Sequence, residues 1–151
     1  YIININLNTP FKMIKEVLPI MRKNKWGRII NISSAHGIVA SHFKAGYVSS
    51  KHGLVGLTKV VALETAKENI TCNAIGPGFV DTDLVQEQIK KLAFQKSISL
   101  KKAKNSLLIK YAINNFVKKK DISSLVYYLT TDEASQITGS NLIIDGGWTA
   151  Q

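Results

Sequence analysis

Cysteine is almost missing from this chain, with Cys72 alone among 151 residues. A single cysteine excludes an intrachain disulfide, so the sequence carries no mark of an oxidising compartment. The plain reading of Cys72 is a small buried apolar side chain. Long apolar runs are missing too. Uninterrupted apolar stretches last only a few residues, far short of the ~20 needed to span a bilayer. Asparagines interrupt the opening residues and no small-residue cleavage site follows, which speaks against a secretory leader. A cytoplasmic protein with no membrane partner is the expectation. Arginine is scarce: Arg22 and Arg28 stand against eighteen lysines, although the formal net charge is +10. Arginine is the side chain that reads base edges and phosphates bidentately. Ten of the lysines fall between Lys90 and Lys120, where the aromatic residues are Phe94, Tyr111 and Phe116, with no stacking platform. That pattern reads as a solvated lysine face and not as a nucleic-acid site. Steering of an anionic substrate or a phosphorylated cofactor is the alternative.

What is present suffices for one domain over residues 1–151, since about 45% of the residues are apolar and a chain of this length can build a single core. The first residue is Tyr1 and the opening already reads as the inside of an element, so the chain is expected to be a fragment. From Asn4 to Asn24, Leu7, Phe11, Ile14, Leu18 and Met21 recur every three or four residues, which predicts an amphipathic helix. Pro10 would leave the Asn6 carbonyl unpaired, and Pro19 would kink the helix again or end it. Gly27–Ser33 is a short β-branched run that reads as a strand buried on both faces. Helical spacing returns over 45–67, interrupted by Gly46, Gly53 and Gly56, which suggests another backbone packed closely there. Ile70–Ile75 reads as a second strand ended by Gly76-Pro77-Gly78. A capped helix from Asp81-Thr82-Asp83 to about Leu92 follows, then a lysine-rich, weakly periodic segment over 93–119 that reads as a second, mobile helix, then a helix over 121–131 and a last strand and turn over Asn141–Gly147. Such alternation predicts an α/β fold with a parallel sheet covered by helices. Ligands of these sheets bind beyond the carboxyl ends of the strands. Ser33-Ser34, Gly76-Pro77-Gly78 and Asp145-Gly146-Gly147 all fall there.

The chemistry-bearing pair is Tyr47 and Lys51. On a helix a four-residue step puts both on one face, one turn apart. An ammonium beside a phenol favours the phenolate, which brings a tyrosine toward the range of a general base. A serine from a neighbouring strand end could hold the oxygen that gains or loses the proton. These groups suit proton transfer on a carbinol or carbonyl.

With Ser34, Tyr47 and Lys51, then Asn73-Ala74-Ile75-Gly76-Pro77-Gly78 and Asp145-Gly146-Gly147, the chain resembles the C-terminal part of a short-chain dehydrogenase/reductase from one end to the other. Trp26–Ile32, Lys51–Val61, Leu84–Gln88 and the terminal Asp145–Gln151 are most similar to the D-3-hydroxybutyrate dehydrogenase branch. The resemblance implies the C-terminal portion of a doubly wound Rossmann fold whose first strands are absent, with a lid insertion near 82–118. It implies Tyr47 as the acid–base, Ser34 as the donor to the reacting oxygen and Lys51 as the partner of Tyr47 and of the nicotinamide ribose. Asn6 would anchor a water of the proton relay through its main-chain carbonyl. Pro77, Gly78, Val80 and Thr82 would lie along the nicotinamide, with Gly78 admitting the cofactor to the backbone.

By the same resemblance His36, Lys44, Gln88 and Trp148 would hold a short hydroxy or keto acid, with Lys44 and His36 supplying charge for its carboxylate and Trp148 an apolar wall. Phe79 stands where the branch usually has tryptophan, which would reshape the pocket. No metal is expected. The glycine-rich pyrophosphate turn and the residue that selects NAD or NADP belong to a half not present here. NAD is expected from the branch alone, as are (R)-3-hydroxybutyrate as substrate and a homotetramer. The alternatives are a 3-oxoacyl thioester reductase, for which the lysine-rich insertion would receive an acidic carrier protein, and a non-catalytic remnant. Without the first strands, the isolated chain is expected to be inactive.

Overall fold

A computed structural model describes residues 1–150. It contains a π-helical turn (Asn4–Asn8), α1 (Thr9–Asn24), β1 (Gly27–Ile32), α2 (Ala45–Thr65), β2 (Ile70–Pro77), α3 (Asp83–Lys96), α4 (Leu100–Leu108), α5 (Lys119–Leu129) and β3 (Asn141–Ile144). Short 3₁₀ turns lie at Ala35–Gly37, Asp132–Ala134 and Trp148–Ala150. The strands are parallel in the order β1-β2-β3. Parallel neighbours need crossovers, and α2 supplies the first while α3 to α5 lie within the second.

As the central strand, β2 is buried at every position. One side of the sheet sends Ile29, Ile70 and Cys72 against Ile14 and Leu18 of α1 and Val61 and Ala62 of α2. The other side sends Ile75 and the half-buried Ile30, Leu142 and Ile144 against Leu129 and its neighbours on α5. A third cluster, Val85, Ile89 and Ala93 of α3 with Ala103 of α4, packs with Phe79 and Phe116 as a separate unit over the strand ends. Several buried polar side chains are paired, whereas Arg28 Nε and both amide atoms of Asn141 have no hydrogen-bond partner among the described residues. Asn31 donates to Thr58 Oγ1 at 2.9 Å, and Asn73 holds the approach to β3 by donating to Ile137 O at 2.6 Å and accepting from Ser140 N at 3.1 Å. Cys72 is fully buried and its thiol is pushed up to about 12 by that burial, so it is inert.

Three expectations fail locally. β1 is not buried on both faces: Arg28 and Ile30 are half-buried and Ile32 is exposed, because among the described residues its only strand neighbour is β2. Pro19 sits inside α1 without ending it. The helix stops at Lys25, whose left-handed φ of 51° closes the cap onto Arg22 and Met21 carbonyls. The glycines of α2 do not receive a backbone: a Cβ at Gly46 or Gly56 would meet nothing within 4 Å, and one at Gly53 would meet the Leu7 side chain at 2.8 Å. The lysine-rich segment forms α4 behind an N-cap in which Ser99 Oγ accepts from Lys102 N. Among the described residues no helix is long and apolar enough to cross a membrane.

Candidate active site

The carboxyl end of β1 delivers Ser34 and then the 3₁₀ turn Ala35–Gly37. Ser34 is buried, and its Oγ accepts from His36 N at 3.2 Å while its hydroxyl reaches Pro77 O at the end of β2, 3.5 Å away. The serine is therefore held by both strand ends. Tyr47 and Lys51 follow on the first turns of α2. The Lys51 ammonium lies 5.6 Å from the Tyr47 ring centroid and donates to Ile32 O at 2.9 Å. Burial pulls the Lys51 pKa below its ordinary value.

A cavity of about 570 Å³ gathers Ser34, His36, Lys44, Tyr47, Gly78, Val80, Thr82, Gln88 and Trp148 at its walls. Nine of the positions that the sequence nominates thus meet in one place. Pro77, Lys51 and Asn6 stand outside it. Pro77 is buried at the end of β2, while Asn6 and Lys51 share a second cavity of about 370 Å³ along β1. The chain at Asn6 is a π-helical turn, a wider turn in which Pro10, having no N–H to donate, follows without breaking the helix. Thr82 also has a structural task, since its Oγ1 accepts from Val85 N at 3.4 Å as the N-cap of α3.

His36 differs from expectation. It is buried, and that burial together with Lys44, His52 and Lys110 pushes its pKa down to about 4. At neutral pH it is an uncharged hydrogen-bonding ring, so Lys44 is the cation of the cavity wall. Lys44 Nζ lies 5.9 Å from the Phe79 ring centroid. Gly78 has a second reason to be glycine: a Cβ there would meet Tyr111 Oη at 2.7 Å and Asp145 Cα at 3.1 Å.

Tyr111 is the residue that sequence reasoning missed as part of the site. Its hydroxyl accepts from Phe79 N at 2.7 Å, and its ring stacks on Phe79 at 6.2 Å and on Trp148 at 5.7 Å. Burial, opposed by the Phe79 N–H, raises its pKa. Asp145 sets Trp148 in place by accepting from Gly147 N at 2.9 Å, Thr149 N at 2.8 Å and Thr149 Oγ1 at 2.7 Å. An isolated aromatic among lysines carries no periodic signal; only its neighbours in space reveal it.

A family model described as enoyl-(acyl carrier protein) reductase matches residues 1–149. The chain belongs to the short-chain dehydrogenase/reductase family. As a short-chain dehydrogenase/reductase it is 48% identical over 151 residues to a D-beta-hydroxybutyrate dehydrogenase of Rhizobium meliloti (strain 1021), covering 99% of this chain and 58% of that one. It is 34% identical over 146 residues to a 3-oxoacyl-[acyl-carrier-protein] reductase of Rickettsia felis, covering 97% and 56%. A 4-hydroxyisoleucine dehydrogenase mutant solved in complex with NADH and succinate superimposes with a TM-score of 0.87 at 39% identity, over 99% of this chain and 58% of that one. The chain spans less than two thirds of the length of each of these relatives. Its three-stranded parallel sheet and helices are accordingly a portion of the doubly wound Rossmann fold. Short-chain dehydrogenases bind nicotinamide cofactors, and the residues here fit such a group. Lys51 spends one of its three N–H donors on Ile32 O, leaving capacity for hydroxyl acceptors, and the strand ends beside it open into the larger cavity.

Proposed function

We propose that the protein is an oxidoreductase interconverting (R)-3-hydroxybutyrate and acetoacetate with NAD. The observation that carries this reading is one cavity with a serine and a tyrosine for proton transfer beside a lysine, an amide and an indole suited to a short carboxylic acid. The bound nicotinamide would supply the hydride acceptor in oxidation and the hydride donor in reduction. Lys51, Tyr47, Pro77, Gly78, Val80 and Thr82 would hold it. NAD over NADP is supported by the branch that the sequence resembles.

In oxidation, Ser34 Oγ donates to the carbinol oxygen and Tyr47 Oη takes its proton as the carbonyl forms. A donor fixed before reaction, where charge develops, favours the transition state over the ground state. In reduction Tyr47 returns the proton to the oxygen. Lys51, tied to Ile32 O, keeps a cation beside the tyrosine, and the Asn6 main-chain carbonyl would anchor the water that passes the proton outward through the cavity it shares with Lys51. Lys44 pairs with the substrate carboxylate, Gln88 adds an amide donor from α3, neutral His36 adds a hydrogen bond, and Trp148 closes the apolar side. Thioester reduction is the weaker reading, since it leaves Lys44 without a carboxylate, and identity to the acyl-carrier reductase is 34% against 48% for the hydroxybutyrate enzyme. A homotetramer belongs to the same reading; Phe11, Met13 and Ile20 of α1 and Leu63 of α2 are exposed apolar residues that assembly would cover.

The test is nicotinamide absorbance with the full-length protein, offered (R)-3-hydroxybutyrate, its methyl ester and a 3-oxoacyl thioester. The expected result is turnover of the acid with NAD, with Lys44→Met raising KM for the acid and not for the ester. Turnover of the thioester alone, or a Lys44→Met enzyme with unchanged KM for the acid, refutes it.

A further inference from the structure

His36 stands between two cavities. It lines the reaction cavity with Ser34 and Tyr47, and it also lines a smaller one of about 160 Å³ with Ser41 and Lys44. Its ring is held edge-on to Tyr47 at 5.8 Å and to Trp148 at 5.0 Å, and its main-chain N–H is bonded to Ser34 Oγ. The ring's one hydrogen bond among the described residues joins Nε2 to Ser41 Oγ at 2.9 Å. We propose that Ser41 is a positioning residue that fixes the His36 tautomer, so that Nδ1 carries the hydrogen and is offered to the substrate as a donor. This rests on the reading of His36 as a substrate-binding group.

The argument is one of donors and acceptors. A neutral imidazole has one N–H and one lone pair. A carboxylate has only acceptors, so a neutral His36 can hold it only through an N–H. If Nε2 carried the hydrogen, it would be used on Ser41 and the open nitrogen would turn a lone pair toward the anion. If the Ser41 hydroxyl donates to Nε2, Nδ1–H remains for the ligand. Among the described residues the Ser41 hydroxyl has no other side-chain or backbone partner than His36, so donation to Nε2 is the arrangement that uses its proton. The neutral state that makes the tautomer matter is supported by burial and by the positive charge of Lys44 and Lys110 nearby.

The experiment uses the full-length protein labelled with ¹⁵N-histidine, with His36 assigned by its own substitution. Long-range ¹H–¹⁵N correlation at neutral pH is expected to show His36 protonated at Nδ1 in the wild type, shifted toward Nε2 or a mixture in Ser41→Ala, and restored in Ser41→Thr. In parallel, Ser41→Ala is expected to raise KM for the hydroxy acid on the order of tenfold with kcat changed much less, and Ser41→Thr to recover it. Protonation at Nε2 in the wild type, a tautomer indifferent to Ser41→Ala, or an unchanged KM in that variant overturns the proposal. The tautomer is read without substrate, so a protein that proves inactive on hydroxy acids would refute the proposed function and leave the test of Ser41 intact.

Discussion

At the scale of single residues, the proposed site separates groups that would move protons from groups that hold shape. Replacing Tyr47 by Phe removes the proton carrier and keeps the ring beside Lys51, so kcat is expected to fall by about 10²–10⁴ while Tm stays near that of the wild type; wild-type turnover in this variant would discard the mechanism. Gly78→Ala acts differently. The added methyl meets Tyr111 Oη at 2.7 Å and the Asp145 backbone at 3.1 Å, so denaturant unfolding should show a loss of about 1–3 kcal/mol together with impaired binding. His36 gives a pH dependence with a definite sign. Its folded pKa is lowered from 6.5 to about 4, so between those values the unfolded chain binds more protons than the folded one. Stability therefore rises with pH through that window and is lost as pH falls, by about 3 kcal/mol in full. Urea melts at pH 7 and pH 5 should differ more for the wild type than for His36→Gln; equal differences would show that His36 does not titrate there.

At the scale of elements, α3 and α4 hold together through their own cluster of Val85, Ile89, Ala93 and Ala103, and each begins at a hydroxyl cap. Ser99→Ala removes the oxygen that accepts from Lys102 N at 3.2 Å. It should cost about 1 kcal/mol, visible as faster amide exchange confined to α4; unchanged exchange would mean the cap contributes nothing. The elements were largely legible from periodicity. β3 falls where the apolar run Leu142–Ile144 ahead of the Asp145-Gly146-Gly147 turn places it, and α2 follows the spacing of Leu54, Val61 and Ala62. Periodicity says nothing about what a proline's neighbours will tolerate, so the uninterrupted passage of α1 through Pro19 and the π-turn at Asn4–Asn8 were not foreseen. Nor does it say what lies across from a glycine. Of the candidate site, the Tyr47 and Lys51 pair and a serine at a strand end were readable from spacing, whereas His36, Lys44, Gln88 and Trp148 came from the family resemblance alone. Tyr111 was readable from neither, because it acts on Phe79, 32 residues away in sequence.

At the scale of the whole molecule, charge is distributed with one sign over the segment that runs from α3 to the start of α5. The net charge is +10, and the stretch from Lys90 to Lys120 holds ten lysines and no aspartate or glutamate. Several of these lysines, Lys90, Lys91, Lys101 and Lys102 among them, are exposed on α3, which lines the cavity, and on α4, which packs against α3. Such a field raises the encounter rate of an anion and is screened by salt. For the full-length enzyme, kcat/KM for the hydroxy acid should fall as ionic strength rises from ~10 mM to ~150 mM, and that for the uncharged methyl ester should not. Equal salt dependence would show the lysines to be a solvating surface only.

The aromatic stack at the carboxyl end of β3 has an optical consequence. This chain has two tryptophans: Trp26, which precedes β1 and is exposed under Arg28, and Trp148, which touches His36 and Tyr111 at the cavity wall. Because the strands run parallel, Trp26 sits beyond their amino ends and Trp148 beyond their carboxyl ends. With Trp26→Phe, the remaining tryptophan emission of this chain becomes a local fluorescence probe of the cavity, quenched or shifted as ligand displaces water from the indole. Occupancy can then be followed in real time, in variants too slow to be measured by turnover.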